Sequence, residues 1–400
     1  MNTGDIAFVL ICSALVLLMT PALAFFYGGL GRRKNVLNTM MMTIFVMGVS
    51  SVLWIICGYS LSFSGNHFGI IGDFRSIFLM GLEGKPSEYA PNIPSYLFAS
   101  FQMMFAIITP ALLTGAVAGR MNFKAIFLFV ILWSFVVYYP LAHMIWGEHG
   151  LLDELGSLDF AGGNVIHISS GVSGLTLSLL IGKRRGYSHV NYRTHNIPFV
   201  LLGAGLLWFG WFGFNSGGAL KADNLAATAF LNTAIGLSAG MMSWCVYALI
   251  VRKKVNFVDV LTGSVAGLAT ITPAAGYVNM VSAVIIGLIA GVICNISLGF
   301  QEKNGWDDAL GVWGVHGMGG FTGTILIGVF ADSNVNTVVP SIHQLLVQAG
   351  GAVLIAVYSM IVTFIILKVY GSITNIKPKD EDVVKGLDST LLDEKAYDIM

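Results

Sequence analysis

The sequence has few charged residues: Asp, Glu, Lys and Arg make up 10% of its 400 residues, while hydrophobic residues make up 56%. A soluble protein carries roughly 25% charged residues, so a chain with this composition cannot cover a soluble surface. The 21 basic and 21 acidic side chains cancel, and the lack of net charge argues against a nucleic-acid partner. The composition therefore predicts a protein embedded in a lipid bilayer.

Cysteine is also scarce. The chain has four, and each lies inside an apolar run without the spacing of a disulfide framework or a metal site. We expect them to behave as small buried hydrophobic residues, and we expect neither a metal ion nor any other cofactor. A basic leader before the first apolar run is missing too, which favours a membrane helix there over a cleaved signal peptide.

Long apolar runs, in contrast, are abundant. Eleven of them approach or exceed about 20 residues, the length that spans a bilayer: 6–28, 36–61, 95–119, 125–146, 162–182, 196–218, 224–250, 257–276, 280–300, 309–330 and 342–369. They predict an all-α multi-pass membrane protein of eleven transmembrane helices, with a membrane domain over residues 1–370.

Residues 371–400 are too polar to span a bilayer. One interpretation is a disordered solvated terminus. The other is a cytoplasmic regulatory tail that docks on the membrane domain through its spaced apolar residues, Val383, Val384, Leu387 and Leu391.

Basic residues collect in alternate joints between the apolar runs. If the amino terminus lies outside, all but three of the 21 Lys and Arg residues fall in cytoplasmic joints or in the tail, and the joint 183–193 holds four of them. The exceptions are Arg75, Lys85 and Lys221. Because cytoplasmic joints are enriched in basic residues, we predict an external amino terminus and a cytoplasmic carboxyl terminus.

The two halves of the chain share an internal repeat. The tetrapeptide ITPA occurs at 108–111, in the third run, and at 271–274, in the eighth. Five helices per half, an odd number, give the halves opposite orientations. We therefore predict a 5+5 inverted repeat plus one extra helix, a fold that places its site near the membrane midplane.

Two histidines mark that site. His167 and His316 lie in glycine-rich apolar stretches, 162–182 and 310–330, with almost no other ionisable group nearby. A titratable side chain inside a membrane span is costly and indicates a functional site. Both lie about eight residues into helices that enter from opposite faces, so we expect the imidazoles to meet, one donating and the other accepting a hydrogen bond. Such a pair suits a small neutral polar molecule.

Two alternatives to this interpretation are a purely structural histidine pair and a pair of haem ligands. The surrounding glycines disfavour haem because tightly packed helices leave no slot for a macrocycle. An enzyme is also disfavoured, since neither a nucleophile–base pair nor a third metal ligand is visible.

Several longer motifs carry a resemblance to a known family. In order, they are AFFYGGLGRRKNVL (24–37), YYPLAHMIWG (138–147), DFAGGNVIHI (159–168), WFGFNSGG (211–218), GVHG (314–317) and GLD…EKAY in the tail (386–397). Across essentially the whole chain the sequence resembles the Amt/MEP/Rh ammonium transporters, on the Amt side. The resemblance implies a homotrimer in the plasma or inner membrane, in which each subunit has its own pore for ammonium or methylammonium.

The resemblance also implies roles for the matching residues in the pore. His167 and His316 correspond to the paired pore histidines, and Trp211 to the pore wall. Phe105 and Phe214 correspond to a stacked aromatic gate above them.

The outer site is implied in the same way. Phe101 and Trp146 correspond to the outer vestibule, where aromatic faces attract ammonium, and Asp159 to a buried acid required for transport. Simpler interpretations are core packing for Phe101 and Phe105, which lie four residues apart, an interfacial belt residue for Trp146 and a helix N-cap for Asp159. The sequence departs from the family at Gly218, where a recruiting serine is common.

The function that the resemblance implies is transport. Ammonium would be recruited outside, lose its proton near the gate and cross past the histidines as ammonia. The proton either stays behind or is relayed by the histidines, and a relayed proton would make transport electrogenic. The alternative is a nitrogen-status sensor acting through its tail on a PII-type signal protein. The chain has no output domain of its own, which favours a transporter.

Overall fold

The computed structural model describes residues 1–187 and 194–397, and within these ranges it is helical, with no β-strand beyond isolated bridges. The long helices are α1 (Thr3–Leu30), α2 (Arg33–Phe63), α3 (Ser95–Ala116), α4 (123–146), α5 (Gly163–Ile181), α6 (Ile197–Ser216), α7 (Asn224–Arg252), α8 (Phe257–Ile271), α9 (Met280–Lys303), α10 (313–330) and α11 (Ile342–Gly371). Two short helices follow, α12 (Asp380–Lys385) and α13 (Leu387–Leu391).

The predicted all-helical multi-span architecture is confirmed. In the described part of the chain, nine helices are long and apolar enough to cross a membrane. The helix α8 is apolar but shorter, and α10 is divided into a π-helical start and an α-helical remainder. A helix thus stands at each of the eleven predicted runs, while the number of crossings, the orientation and the inverted repeat remain predictions.

Short polar side chains begin many of these helices. Their oxygens accept hydrogen bonds from backbone N–H groups of the first turn, which have no partner within the helix. The residues that cap long helices in this way are Asn2, Asn196, Asp223, Asn256, Asn279 and Ser341. The helix starts therefore follow from local sequence.

Glycine lets the two histidine-bearing helices, α5 and α10, cross in direct contact. A Cβ atom added at Gly171 would lie 2.2 Å from the backbone nitrogen of Gly317, and one added at Gly320 would lie 2.7 Å from the carbonyl oxygen of Gly163. Any larger residue would push the helices apart.

The starts of α5 and α10 resemble each other. Each begins with a π-helical segment that contains its histidine, Gly163–Ile168 in α5 and Trp313–Gly317 in α10. An aspartate, Asp159 or Asp308, stands eight residues before each histidine. These parallels agree with the predicted repeat.

The helix bundle has two ends. We call the end that carries the loop 64–94 the loop face, and the end that carries residues 372–397 the tail face. The three basic residues that the sequence places outside all lie at the loop face. The joint 183–193 is described only as far as Tyr187, so Arg193 lies outside the described residues.

The tail is docked on the tail face. The carboxylate of Asp388 accepts hydrogen bonds from the backbone N–H groups of Leu37 (3.1 Å) and Asn38 (2.8 Å) at the start of α2. Lys34 Nζ donates to the carbonyl oxygens of Val383 (2.7 Å) and Val384 (2.6 Å). Polar contacts thus hold much of the tail.

The apolar residues of the tail contribute less than the sequence suggests. Of the four proposed to dock it, Leu387 is fully buried, while Val384 is 53% exposed and Leu391 37% exposed. Further along, the Tyr397 hydroxyl lies 3.0 Å from both His195 Nε2 and Asn196 Nδ2. Residues 398–400 of the predicted tail lie outside the described residues.

Candidate functional site

The two histidines meet in the interior of the bundle. The Nδ1 atoms of His167 and His316 are 3.3 Å apart, and their ring centroids 5.2 Å. Both side chains are buried, with exposures of 1% and 5%. Since one nitrogen must donate and the other accept, the two rings carry opposite roles at these atoms. The opposite entry of their helices predicts this contact.

A narrow cavity lies beside the histidine pair. Its volume is about 20 Å³, and both histidines line it together with Trp211 and Phe214. Aliphatic and aromatic side chains complete the wall: Met19, Leu23, Phe26, Ile108, Leu112, Ile166, Leu207 and Val265. His167 Nε2 has no hydrogen-bonding partner among the described residues. We call this space the pore cavity; its polar lining comes mainly from the imidazoles.

Trp211 and Phe214 fix one side of the pore cavity. The His167 ring is stacked against each of them, with its centroid 5.6 Å from that of Trp211 and 6.1 Å from that of Phe214. The indole nitrogen of Trp211 donates to Thr272 Oγ1 at 2.8 Å. Thr272 belongs to the second ITPA motif, so this repeat element holds the pore wall in place.

Two phenylalanines separate the pore cavity from the loop face. Phe105 and Phe214 lie edge to face, not stacked as the resemblance implies, with centroids 4.7 Å apart. Phe214 lines the pore cavity, and Phe105 lines a second, larger cavity above it. The residues that the resemblance assigns to a gate therefore stand between two cavities.

The larger cavity, which we call the vestibule, has a volume of about 370 Å³. Phe101 and Trp146 line it, and both contact Phe105, with centroid distances of 4.9 Å and 6.0 Å. The acids Asp153 and Asp159 also border this space. The vestibule thus combines aromatic faces with negative charge.

Asp159 caps the start of α5. Its Oδ1 accepts hydrogen bonds from the N–H groups of Gly162 (2.8 Å) and Gly163 (2.6 Å). Its Oδ2 accepts from Asn164 (2.7 Å) and Val165 (3.1 Å). Four such bonds to one carboxylate hold the first turn of the helix that carries His167. The capping role, one of the two alternatives for this residue, is therefore present in the fold.

Trp146 is tied to the same turn. Its indole nitrogen donates to the carbonyl oxygen of Asp159 at 2.9 Å. This bond positions the aromatic face against the vestibule and joins the vestibule to the start of α5. A place in an interfacial belt does not account for that bond.

Gly218 borders the vestibule, but nearby Ser216 does not. Ser216 is 3% exposed, and its hydroxyl has no partner among the described residues. A Cβ atom added at Gly218 would lie 2.8 Å from the carbonyl oxygen of Phe160. Ser216 therefore does not replace the missing vestibule hydroxyl, and a serine at 218 requires a shift of the loop around Phe160.

Below the histidines, a third space continues toward the tail face. This inner cavity has a volume of about 30 Å³ and shares His316, Phe26 and Val265 with the pore cavity. Leu310 lines its far end. Vestibule, pore cavity and inner cavity thus follow one another, and the structure brings all eight candidate residues to this path.

Sequence reasoning missed two polar groups beside this path. Gln102 lines the vestibule, and its Oε1 acceptor has no partner among the described residues; a lone amide in the apolar run 95–119 was the available signal. Asp308 Oδ2 accepts from the N–H of Trp313 at 2.7 Å, a counterpart to the Asp159 cap. The equal spacing of eight residues could have identified it.

Comparisons with known proteins find a family profile, sequences and solved structures that are similar to this chain. The profile of the Ammonium Transporter Family matches residues 7–397. An ammonium transporter of Bacillus subtilis is 42% identical over 404 residues, covering 99% of each chain. The crystal structure of Candida albicans Mep2 has a TM-score of 0.90 at 32% identity and covers 96% of this chain and 88% of its own. A structure named Sensor Amt Protein has a TM-score of 0.90 at 28% identity, with 96% and 97% coverage.

Proposed function

Since this chain belongs to the Ammonium Transporter Family, we propose that it carries ammonium and methylammonium across a cell membrane. The observation that carries the mechanism is the histidine pair inside a narrow apolar path. This proposal makes the protein a transporter and not an enzyme. The substrate passes the imidazoles and is released either unchanged or with one proton fewer.

Recruitment takes place in the vestibule. A cation is attracted to the face of an aromatic ring, and Phe101 and Trp146 both present rings to this space. The nearby carboxylates add attraction for positive charge, and Gln102 Oε1 is an acceptor that ammonium, unlike potassium, can satisfy with an N–H group. These groups favour ammonium without the serine that Gly218 replaces.

Selectivity then arises below the gate. Cavities of about 20 Å³ and 30 Å³ have room for roughly one water-sized molecule, so a hydrated ion does not fit. Stripping a cation of water in an apolar lumen is costly. Ammonium can avoid this cost by giving up a proton near Phe105 and Phe214, and potassium cannot.

The histidines then carry the neutral molecule. Ammonia both donates and accepts hydrogen bonds, and imidazole offers one group of each kind. His167 Nε2, which has no partner among the described residues, supplies such a group in the pore cavity. The same pair can return the proton to the substrate or relay it across.

Purified protein in proteoliposomes on a solid-supported membrane tests the function. An ammonium pulse should load the vesicles, whereas an equal potassium pulse should not, because potassium has no proton to release. Vesicles without protein are the control. A sustained current would show that the proton travels with ammonia, and uptake without current would show neutral transport. Equal loading of the vesicles by ammonium and by potassium would contradict the mechanism.

We further propose that the tail face is cytoplasmic, that the protein forms a homotrimer, and that residues 371–400 form a regulatory tail that a PII-type signal protein reads. The docked tail and the similarity to the structure named Sensor Amt Protein support this role. A nitrogen-status sensor is the second candidate function. Capture of a PII-type protein by the full chain, but not by one lacking residues 371–400, tests it.

Asp388→Asn should loosen the tail. An asparagine keeps one acceptor oxygen and turns its NH₂ group toward a backbone N–H of Leu37 or Asn38, so docking should lose about 1–3 kcal/mol. Faster amide hydrogen exchange over 383–391 should report this change. Glu381→Gln is the matched control, because it also removes one negative charge, at an exposed position in α12. Equal protection in both variants would show that the Asp388 carboxylate does not hold the tail.

A further inference from the structure

A fourth cavity lies at the tail face, beyond the transport path. Its volume is about 260 Å³, just below the roughly 300 Å³ at the lower end of ligand pockets. Four segments and the single residue Leu310 build it; the segments are 31–39, 118–120, 181–185 and 377–383. It shares Leu310 with the inner cavity and therefore lies beside the inner end of the path.

The wall of this cavity, which we call the basic cavity, is strongly cationic. Six lining side chains are positive, against the single carboxylate of Asp380: Arg32, Arg120, Lys183, Arg184, Arg185 and Lys377. Behind the wall, Asp307 pairs with Arg184 at 2.6 Å and with Arg120 at 3.3 Å. Among the described residues, the six cations of the wall therefore stand near three carboxylates, those of Asp307, Asp308 and Asp380.

These cations are close enough to act on one another. Arg120 Nη1 and Arg184 Nη2, for example, both approach the single Asp307 carboxylate, at 3.3 Å and 2.6 Å. Like charges held together in this way destabilise the docked arrangement. A multivalent anion in the cavity would remove that repulsion.

Arg120 provides a second, independent observation. It is 5% exposed, and its terminal nitrogens donate to the carbonyl oxygens of Ala116, Gly182 and Asp307. Its Nε has no hydrogen-bonding partner among the described residues, although the side chain lines the cavity. A buried charged donor without a partner is costly. A ligand in the cavity that has acceptor oxygens would give the Arg120 Nε–H group its missing hydrogen bond.

We propose that the basic cavity binds a phosphate group, as free phosphate, a small phosphate ester or a lipid headgroup, and that the bound anion ties the tail to the joints. Phosphate carries more than one negative charge near neutral pH and offers several acceptor oxygens. Arginine matches this geometry with two parallel donors. Lys377 reaches the same space from the tail, so one anion contacts both the tail and the membrane domain.

Calorimetric titration of inorganic phosphate into the full-length protein tests this site directly. In nanodiscs of phosphatidylcholine, the wild-type protein should bind phosphate, and Lys377→Gln should weaken binding by at least about tenfold because it removes a charge-assisted hydrogen bond. Lys379→Gln is the matched control: it makes the same change two residues away, at an exposed position outside the cavity. Its affinity should stay within about twofold of the wild type, given the screening of exposed charges.

A parallel arm separates the two sources of phosphate. In nanodiscs that contain phosphatidylglycerol, native mass spectrometry should show whether the protein retains this lipid and whether Lys377→Gln releases it. The site would be assigned to a lipid headgroup if the wild type and Lys379→Gln retained the lipid, Lys377→Gln did not, and titration with free phosphate released no heat of binding. If neither phosphate nor lipid distinguishes Lys377→Gln from Lys379→Gln, the basic cavity is not a phosphate site. Neither arm depends on transport.

Discussion

His167→Ala and His316→Ala should each reduce ammonium and methylammonium uptake by at least about tenfold. Each change removes one of the hydrogen-bonding groups that a neutral molecule meets in the pore cavity, and such a bond in an apolar space is worth about 1.5 kcal/mol or more. The truncation also leaves the remaining imidazole without its partner at 3.3 Å. Uptake of labelled methylammonium into proteoliposomes measures the loss.

The design separates a transport role from a structural one. His343→Ala changes an exposed histidine at the start of α11, outside the cavities of the path, and should leave uptake unchanged. Because paired residues are not additive, the double variant should lose little more than the worse single one. Unchanged methylammonium rate and selectivity in both single variants, with the fold intact, would refute the path assigned here.

Asp159→Asn should reduce uptake further, by about a hundredfold. The asparagine oxygen can replace one carboxylate oxygen, but its NH₂ group then faces two backbone N–H donors, so the first turn of α5 loses two bonds to a charged acceptor. At about 1.5 kcal/mol or more for each bond, the cost is about 3 kcal/mol. This turn carries His167 eight residues further on, and its loosening should displace the imidazole from His316.

Hydrogen exchange at the amides of Asn164 and Val165 should rise in the same variant, which links the loss of uptake to the cap. Asp153→Asn is the charge-matched control, since Asp153 is an exposed carboxylate that also borders the vestibule. A loss of uptake in Asp153→Asn as large as in Asp159→Asn would indicate that negative charge in the vestibule, and not the cap, is what transport requires. Unaltered amide exchange in Asp159→Asn would lead to the same conclusion.

Much of the fold could be predicted from local patterns. Runs long enough to span a bilayer located every long helix, because backbone groups inside lipid must be satisfied within a helix. The position of His167 and His316 at equal depth in two such runs predicted their contact. The tail was harder to predict: its apolar residues suggested docking, but the hydrogen bonds from Leu37 and Asn38 to Asp388 hold it, and they join positions about 350 residues apart.

The sequence by itself determined which segments are helical and which costly polar residues lie inside them, since both follow from hydrophobic length and from the scarcity of charge. Tertiary structure alone decided what surrounds those residues. It placed Thr272 against Trp211, left Ser216 outside the vestibule, and brought three of the basic joints together around the basic cavity. These relations depend on which helix faces come into contact, and the close approach of glycine backbones, not local hydrophobicity, sets that contact.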